Sequence, residues 1–461
     1  MPYILKKYYP ARNLLFFFGE GLLIFLVLAG IYLADAGLHG EIGGEVPVIF
    51  LRAGVVTLIF QLCLYYFDLY DLADIPSFSD AATRVTQAFG IGCIVLAGIY
   101  YIFPAVIISI RVFWIGYAGI CLAVAFWRFL YAIVLDRRMF TKPVLILGTG
   151  KLAADIAEEI LARKDSGYRI AAFVGEANPA FARYESPLHT QCSELAKFSR
   201  RYNAEKVVVA LDDQRGKLPI RQLLACKMAG TAIEPGVGFY ESLTGRILVQ
   251  RVSPSWLIYA DGFRKSRFIT FGKRLIDLTA AAFGLLCSLP VFVVSALLIR
   301  LESPGPVFYL QERTGENGKV FRVIKFRSMT CDAEKDGPVW AACNDSRTTR
   351  FGAFMRKVRI DEIPQMINVL KGDMSFVGPR PERPVFVSQL EEKIPYYSLR
   401  HTVKPGITGW AQIFYPYGAS EEDALRKLEY DLYYIKNLSL TMDLFVIFQT
   451  IKTVLFQKGA R

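Results

Sequence analysis

Residues 273–300 read KRLIDLTAAAFGLLCSLPVFVVSALLIR, an apolar stretch with basic residues at both ends and a proline inside it. A bilayer crossing takes about 20 apolar residues, so the stretch is long enough to span. Pro290 removes a backbone donor and bends a helix, while Lys273 and Arg300 put positive charge at both ends. We therefore predict a reentrant helix that enters one leaflet, breaks near Ser288 and Pro290, and returns. An ordinary fifth span is the alternative.

The composition of the whole chain is typical of a membrane protein. The 461 residues are 53% hydrophobic, and their mean hydropathy is +0.32. A formal charge of +12 suits nucleic acid, an anionic membrane surface or phosphorylated substrates, so the positions of the charges must decide. Three histidines and eight cysteines without a CxxC pair suggest neither a zinc site nor a disulfide framework.

Four further apolar stretches predict a region of four transmembrane helices in residues 1–140. They cover residues 14–33, 47–67, 88–109 and 112–134. Basic residues precede the first stretch and follow the fourth, so the positive-inside rule places both flanks in the cytoplasm. Glu20, Arg52 and Arg128 fall within the spans, and we expect them to pair or to reach the helix ends.

Residues 141–262 predict a Rossmann-like α/β domain, because short strands and helices alternate from Pro143 onward. Gly148 and Gly150 belong to a G-x-G-x-x-A turn, a pattern that can hold a pyrophosphate at a helix N-terminus. Glu176, beyond the second strand, is a candidate ribose ligand. A glycine turn that only packs helix against strand explains the same residues, so nucleotide binding here stays open.

Residues 263–461 predict a third domain of mixed α/β structure, which makes the chain a membrane protein of the α plus α/β class. Lys325 and Arg327 alternate as on a strand, which puts both cations on one face. Arg380 and Arg383 lie in a GPRPER loop. Because arginine binds phosphate oxygens through two N–H groups, this pattern favours a phosphate site, and we expect no nucleic acid partner. Solvated surface charge is the alternative for any one of these residues.

Asp361 and Glu362 are the candidate reactive residues. An apolar repeat from Ile363 to Leu370 predicts a helix that begins near Asp361, with Pro364 in its first turn. A helix N-terminus stabilises anions, and a lone aspartate there is usually a cap. A second adjacent carboxylate allows another reading, in which one acid attacks phosphorus and the other holds Mg²⁺.

The stretch from Lys273 to about Gln412 resembles the bacterial sugar transferase domain of the polyprenyl-phosphate phosphoglycosyl transferases. The matching motifs are residues 273–277 (KRLID), 303–307 (SPGPV), 311–315 (QERTG), 325–329 (KFRSM), 360–365 (IDEIPQ), 368–375 (NVLKGDMS), 378–381 (GPRP) and 404–410 (KPGITGW). The membrane helices and α/β domain before them resemble the large, fused members. The whole chain is most similar to the exopolysaccharide members associated with exosortase (PEP-CTERM) systems.

The resemblance implies an enzyme on the cytoplasmic face of the bacterial inner membrane, which moves a sugar-1-phosphate from a UDP-sugar to polyprenyl phosphate. It implies a reentrant helix at Pro290, Asp361 as the nucleophile and Glu362 as the carboxylate associated with Mg²⁺, with both acids as candidate metal ligands. Arg313, in the third motif, joins the four cations above as a candidate phosphate ligand. Ser288 is not adjacent to Pro290 as in many members, so its role stays open. A homodimer is compatible with such an enzyme.

Two functions of other kinds stay open. A membrane-bound NAD(P)-dependent oxidoreductase would use the Gly148 turn, but the sequence offers no convincing Tyr-x-x-x-Lys pair after that domain. A non-catalytic scaffold that senses nucleotides would use the same turn without chemistry.

Overall fold

The computed structural model describes residues 3–4, 7–8, 11–39, 42–71, 78–163, 165–212, 218–252, 254–263, 265–330, 347–415, 418 and 420–455. The chain forms two compact units, Met1–Phe239 and Tyr240–Arg461. Residues 240–262, which the sequence assigns to the α/β domain, thus group with the second unit. Within that unit, the Trp410 indole N–H donates to the Gly245 carbonyl (2.9 Å), which ties the segment to the C-terminal domain.

The first unit begins with a short hairpin and four long helices. These elements are β1 Tyr3–Ile4, β2 Lys7–Tyr8, α1 Ala11–His39, α2 Ile42–Tyr66, α3 Phe78–Ile102 and α4 Ile110–Asp136. All four helices are long and apolar enough to cross a membrane. Large apolar side chains such as Leu15, Leu58 and Leu122 are exposed on them, as lipid-facing residues are.

Helix α3 begins ten residues before, and ends seven residues before, the span that the sequence predicts at 88–109. Hydropathy placed the span too late, because the apolar run continues past the end of the helix. Pro104 begins a separate 3₁₀ turn, and a proline cannot continue an α-helix without losing a backbone hydrogen bond. The Ser109 hydroxyl then accepts from the Val112 N–H (3.3 Å) and caps α4, so the prediction that residue 109 belongs to the third helix is wrong.

Two of the charges inside the membrane helices form an ion pair, as expected. Arg128 on α4 contacts both carboxylate oxygens of the fully buried Glu20 on α1, at 2.8 and 2.9 Å. Another guanidinium nitrogen of Arg128 donates to the Leu69 carbonyl (2.8 Å). Arg52 donates instead to the Ala105 carbonyl (3.1 Å). Arg128 therefore has its acceptors within the helix bundle, and Arg52 has one in the exposed turn after α3.

The rest of the first unit is built on a parallel sheet. Its elements are β3 Lys142–Leu147, α5 Lys151–Ala162, β4 Tyr168–Val174, β5 Leu188–His189, α6 Leu195–Arg201, β6 Lys206–Val209, α7 Ile220–Met228 and β7 Ala232–Pro235, and α8 Gly236–Thr244 follows. The strands pair in the order β5-β4-β3-β6-β7, all parallel. Val144 to Leu147 are fully buried, as strands with helices on both faces require. Strand β3 lies where the order reverses direction.

The second unit contains one very long helix and a compact group of short elements. They are α9 Pro254–Tyr259, α10 Arg267–Glu302, β8 Phe308–Thr314, β9 Val320–Phe326, α11 Arg350–Lys357, α12 Gln365–Lys371, β10 Ser375–Val377, α13 Pro384–Lys393, β11 Gly406–Thr408, α14 Trp410–Phe414, α15 Glu421–Lys436 and α16 Leu440–Leu455. Strands β8 and β9 form an antiparallel hairpin, and β10 pairs with β11 in parallel.

Helix α10 contains the apolar stretch quoted first and is also long and apolar enough to cross a membrane. It continues through Ser288 and Pro290 without an interruption in its helical backbone, so the predicted break near these two residues is wrong. The Ser288 hydroxyl donates to the Gly284 carbonyl of the same helix (2.7 Å). Near its start, Lys273 forms an ion pair with Asp443 (2.8 Å). At its end, the Glu302 carboxylate accepts from the Phe351 N–H (3.0 Å). Both ends of the helix therefore contact the same compact unit.

The C-terminal helix α16 packs against the core of its unit. Met442, Asp443 and Val446 are fully or almost fully buried, while Leu444 and Ile451 are about half exposed. Core packing, one of two readings that the sequence allows for this helix, is therefore present on one face. The Thr408 and Thr450 hydroxyls share a hydrogen bond (2.6 Å) that joins the helix to β11.

Candidate active site

Asp361 and Glu362 lie in a 3₁₀ turn, Ile360–Glu362, that precedes α12. The predicted helix start near Asp361 is wrong by four residues, since α12 begins at Gln365. Pro364 has no N–H to donate to the Ile360 carbonyl, and that carbonyl accepts from the Ile363 N–H instead (3.1 Å). Successive side chains of a 3₁₀ turn point about 120° apart, so the two adjacent carboxylates face different surroundings.

Glu362 is surrounded by cations. Its Oε1 atom lies 2.6 Å from an Arg380 guanidinium nitrogen, 3.6 Å from Lys325 Nζ and 3.7 Å from an Arg359 nitrogen. Burial raises the pKa of the Glu362 carboxyl, but Arg380 and Lys325 outweigh burial and hold that pKa far below its usual range. Glu362 is therefore ionised and fixed in place.

The charges around Glu362 also act on the cations. The Glu362 carboxylate raises the pKa of the Arg380 guanidinium, so that group stays charged. Burial lowers the pKa of the Lys325 ammonium, and Glu362 partly offsets this effect. The Arg380 side chain is 37% exposed and Lys325 only 18%. Arg380 thus keeps N–H groups on the open side of the cluster, where a phosphate could reach them.

Asp361 differs from its neighbour. Among the residues that the structure describes, its carboxylate has no hydrogen-bond or ion-pair partner, although the side chain is largely buried. Burial, and next the negative charge of Glu362, raise the pKa of the Asp361 carboxyl to about 6. The turn therefore presents one carboxylate that is held by cations and one whose oxygens are available.

The loop that carries Arg380 is held rigidly by backbone contacts. Gly378 donates to the Thr408 carbonyl (2.8 Å), and Arg400 donates to the Arg380 carbonyl (3.0 Å). A Cβ on Gly378 would overlap the Lys404 carbonyl oxygen, so the close approach of β10 and β11 requires glycine there. These contacts place the guanidinium of Arg380 beside Glu362.

Strand β9 carries Lys325 and is fastened to α12 by Asn368. The Asn368 amide accepts from the Ile324 N–H (2.9 Å) and donates to the Arg322 carbonyl (2.8 Å). Asn368 is almost fully buried. It was part of a quoted motif but was not proposed as a site residue. Its position directly joins the strand of Lys325 to the helix that follows Glu362.

The other predicted phosphate ligands lie elsewhere. Arg327 follows the end of β9, and its guanidinium donates to the Ser303 and Pro304 carbonyls (2.7 Å each), where it stabilises the end of α10. Arg313 donates to the Pro381 carbonyl (3.0 Å) and supports the Arg380 loop from behind. Arg383 is the N-cap residue of α13. The structure brings only Lys325 and Arg380 of the five predicted cations onto Glu362.

Two features near the site were missed by the sequence reasoning. Arg359 adopts a left-handed backbone conformation (φ 61°) immediately before the acidic turn and contacts Glu362. Arg400 and Asp431 form a buried ion pair (2.8 Å) behind the Arg380 loop. Arg359 is two residues before Asp361 in the sequence, so its contact with the acidic turn could have been proposed from its position. No spacing in the sequence connects Arg400 with Asp431.

The acidic turn fits the Mg²⁺ that the resemblance implies, though only as part of its coordination. Three cations contact the Glu362 carboxylate among the described residues, whereas the Asp361 carboxylate has no such partner and is the oxygen ligand most open to a metal. The described residues contain no group of three or more Asp, Glu, His or Cys side chains placed to hold a metal. Magnesium commonly takes one or two carboxylates and completes its shell with water and substrate phosphates.

The glycine turn of the first unit contains the remaining candidates. Gly148 follows β3 with φ 129°, and Gly150 is the N-cap residue of α5. The Glu176 carbonyl accepts a hydrogen bond from the Thr149 hydroxyl (2.9 Å). No function for this turn follows from these contacts alone.

Comparison with known proteins assigns the family. The profile described as Bacterial sugar transferase matches residues 268–457. An enzyme of Caulobacter vibrioides, a UDP-glucose:undecaprenyl-phosphate glucose-1-phosphate transferase, is 40% identical over 41% of this chain and 71% of its own length. The chain belongs to the bacterial sugar transferase family. This transferase is therefore an enzyme of the phosphoglycosyl transferase type, and with its apolar helices it is a membrane protein.

Other relatives extend further along the transferase. A UDP-N-acetylgalactosamine-undecaprenyl-phosphate N-acetylgalactosaminephosphotransferase of Aeromonas hydrophila is 41% identical over 61% of this chain and 67% of its own length. A UDP-glucose:undecaprenyl-phosphate glucose-1-phosphate transferase of Escherichia coli (strain K12) is 43% identical over 59% and 58%. These two relatives are named for different sugars. A second profile, described as CoA-binding domain, matches residues 66–224.

Proposed function

We propose that the transferase moves a sugar-1-phosphate from a UDP-sugar onto polyprenyl phosphate, releasing UMP and forming a polyprenyl diphosphosugar. The observation that carries this proposal is the unequal pair at the acidic turn. Asp361 has available carboxylate oxygens, while Arg380 and Lys325 form ion pairs with Glu362. A nucleophile beside fixed cations is the arrangement that displacement at a diphosphate needs. The comparisons do not favour an oxidoreductase or a non-catalytic scaffold.

In the first half-reaction, a carboxylate oxygen of Asp361 attacks the phosphorus that bears the sugar. The bond between that phosphorus and the bridging oxygen breaks, and UMP leaves with the bonding electron pair. A phosphosugar then remains on the Asp361 side chain as an acyl phosphate ester. Arg380 is the residue placed to contact the phosphate oxygens, because its guanidinium keeps N–H donors on the exposed side of the cluster.

In the second half-reaction, an oxygen of polyprenyl phosphate attacks the same phosphorus. The bond to the Asp361 oxygen breaks, the carboxylate is restored, and the new bond completes the diphosphate of the lipid product. When bound, Mg²⁺ would offset the negative charge of the diphosphate, and Glu362 with Asp361 would hold it. Lys325 and Arg380 keep Glu362 ionised throughout.

We also propose that α10 is reentrant and that the catalytic domain lies on the cytoplasmic face of the inner membrane, where nucleotide-sugars are made. A straight helix of 36 residues would be about 54 Å long, well beyond the hydrocarbon core of about 30 Å. Contacts of Lys273 and Glu302 with one compact unit support a return to the same side. Exposed Phe283, Leu286 and Val294 supply a lipid-facing surface on this helix.

The domain organisation that we propose has a membrane region at 1–140, a Rossmann-like domain that ends near residue 239 instead of 262, and a catalytic domain from about residue 240 to 461. The parallel sheet of β3 to β7, with the first strand in the middle, supports the Rossmann-like assignment. The resemblance to exopolysaccharide members supports a role in the first membrane step of exopolysaccharide synthesis.

The test uses the purified full chain in nanodiscs with Mg²⁺, polyprenyl phosphate and a panel of UDP-sugars. UMP release should depend on the lipid acceptor for at least one sugar and should stop with EDTA. Without acceptor, intact-protein mass spectrometry should detect a phosphosugar adduct on the wild type and none on Asp361→Asn. Glu392→Gln, an exposed acid on α13, is the matched control and should behave as the wild type. Undiminished UMP release by Asp361→Asn would refute the assignment of the nucleophile.

A further inference from the structure

The glycine turn of the first unit already contains an anion. Asp212 lies three residues beyond the end of β6, and its two carboxylate oxygens accept from the Lys151 N–H (3.0 Å) and the Leu152 N–H (3.2 Å). These N–H groups open helix α5, which is 12 residues long. In dinucleotide-binding domains the corresponding N–H groups face the pyrophosphate. Asp212 therefore occupies the hydrogen-bonding position that a bound phosphate would need.

Asp212 lies at the crevice of the sheet where a ligand would bind. Strands β3 and β6 are neighbours in the order β5-β4-β3-β6-β7, and chain connections diverge to opposite sides of the sheet at this point. Ligands of open parallel sheets bind in the crevice at the carboxyl ends of such strands. Asp212 reaches across that crevice from the β6 side to the start of α5, so the chain closes its own crevice.

Close packing within the chain also explains the two glycines. A Cβ on Gly150 would overlap the Asp212 carboxylate, and a Cβ on Gly148 would overlap the Ala210 backbone. Gly148 additionally has φ 129°, which a residue with a side chain rarely adopts. The backbone that follows β6 thus requires glycine at 148, and glycine at 150 leaves room for the Asp212 carboxylate, without any nucleotide.

The ribose side of the crevice is occupied as well. The Thr149 hydroxyl donates to the Glu176 carbonyl (2.9 Å), and the Asn178 amide donates to the Thr149 carbonyl (2.8 Å). A Cβ on Gly175 would lie 3.0 Å from the Thr149 side chain. The turn is therefore fastened to the segment after β4, where the sequence placed a ribose ligand.

We infer that Asp212 is a built-in substitute for phosphate, and that this turn binds neither coenzyme A nor a dinucleotide. The residues do not fit the ligand that the domain description names, because a diphosphate at α5 would meet the Asp212 carboxylate at its own hydrogen-bond donors. The negative charge of Asp212 also stabilises the start of α5. The glycine fingerprint in this chain thus has a structural role, which is independent of the proposed transferase chemistry.

The test is made on the full chain in nanodiscs by hydrogen–deuterium exchange of the peptide that contains Lys151 and Leu152, and by calorimetric titration. In the wild type, this peptide should be protected, millimolar pyrophosphate should not change its exchange, and coenzyme A and NAD⁺ should show no saturable heat. Asp212→Ala should speed exchange of the peptide at least tenfold, and pyrophosphate should restore part of the protection. The control Glu194→Gln, a partly exposed acid of the same unit, should match the wild type.

Saturable binding of coenzyme A or NAD⁺ to the wild type, with slower exchange of this peptide, would overturn the inference. Unchanged exchange in Asp212→Ala would also overturn it, because the carboxylate would then not hold the helix start. If Asp212→Ala fails to fold, Asp212→Asn keeps one acceptor oxygen and should give an intermediate exchange rate. The titrations of the wild type decide the nucleotide question whichever variant folds.

Discussion

Replacing Arg380 with methionine tests the electrostatic core of the proposed site. The substitution keeps a long side chain but removes the cation nearest to Glu362, at 2.6 Å. Lys325 and Arg359 remain at 3.6 and 3.7 Å. The change therefore weakens the cluster without abolishing it, and it also removes the guanidinium N–H groups proposed for the substrate phosphates.

The magnitude follows from these distances. With an effective dielectric constant of about 20, the attraction is about 6 kcal/mol at the Arg380 distance and about 4.5 kcal/mol at each of the other two. Because Arg380 is 37% exposed and Glu362 keeps two other cations, solvent screening brings the net cost below the roughly 3–5 kcal/mol of breaking a fully buried pair. A domain is stable by about 5–15 kcal/mol in total, so Arg380→Met should melt at a clearly lower temperature and still fold in part.

The catalytic activity should fall as well as the stability. Loss of one fixed donor to a charged transition state costs about 10²- to 10³-fold in rate, and we expect this loss in kcat/KM for UMP release. Arg380→Lys keeps the charge but not the planar fork, so its activity should lie between those of Arg380→Met and the wild type.

The control for this prediction is Arg322→Met on β9. Arg322 is 71% exposed and lies 3.9 Å from an exposed Glu312, so its loss should change stability by less than about 0.5 kcal/mol. Both variants are assayed by UMP release and by thermal melting in the same nanodiscs. The reasoning fails if folded Arg380→Met retains kcat/KM within threefold of the wild type, or if Arg322→Met is equally damaged.

Three further predictions concern stability, each measured by thermal melting of the full chain. Lys273→Met leaves the buried Asp443 carboxylate without its cation and should lower the stability by about 3–5 kcal/mol. The double change with Asp443→Leu should restore part of this loss, and a double variant that is no more stable than Lys273→Met would exclude the ion pair as the cause. Arg359 has φ 61°, a left-handed conformation that glycine adopts more readily than alanine. Arg359→Gly should therefore be more stable than Arg359→Ala by about 1 kcal/mol, and the reverse order would contradict this. Hydrogen bonds from Ser420 lower the pKa of the Asp423 carboxyl to about 2, so the capping contribution is complete above about pH 4 and is lost as the pH falls towards 2. Asp423→Asn should accordingly be less stable than the wild type at pH 7 and approach it only as the pH falls to about 2, and a constant difference would refute this linkage.

The sequence could predict the kinds of residue near the acidic turn better than their contacts. Lys325 and Arg327 are two residues apart, so the alternation of side chains along a strand predicts that both point to the same face of the sheet. Strand β9 ends at Phe326, so Arg327 leaves the ladder and its guanidinium bonds the end of α10. Where a strand ends depends on its partner strand β8, and this information is not local to the KFRSM motif.

Long-range contacts limited the prediction in the same way elsewhere. The glycine turn after β3 was identified correctly as a strand-to-helix turn, and both a ligand and simple packing were consistent with it. The decision depends on Asp212, which is about 60 residues away in sequence and reaches α5 only after β6 has paired with β3. The late placement of the third membrane helix has a different origin, because hydropathy responds to apolar content and not to the backbone donor that Pro104 lacks.

The acidic turn explains how two neighbouring carboxylates can take different roles. Adjacent side chains point about 100° apart on an α-helix and about 120° apart on a 3₁₀ turn, so the two acids diverge in either geometry. Their difference comes from what surrounds them, because Glu362 contacts Arg380 and Lys325 while the Asp361 oxygens stay available. Pro364 keeps α12 from extending back through the acidic turn, because it withholds the hydrogen bond to the Ile360 carbonyl. The division between a held carboxylate and an available one is therefore present in the fold before any substrate binds.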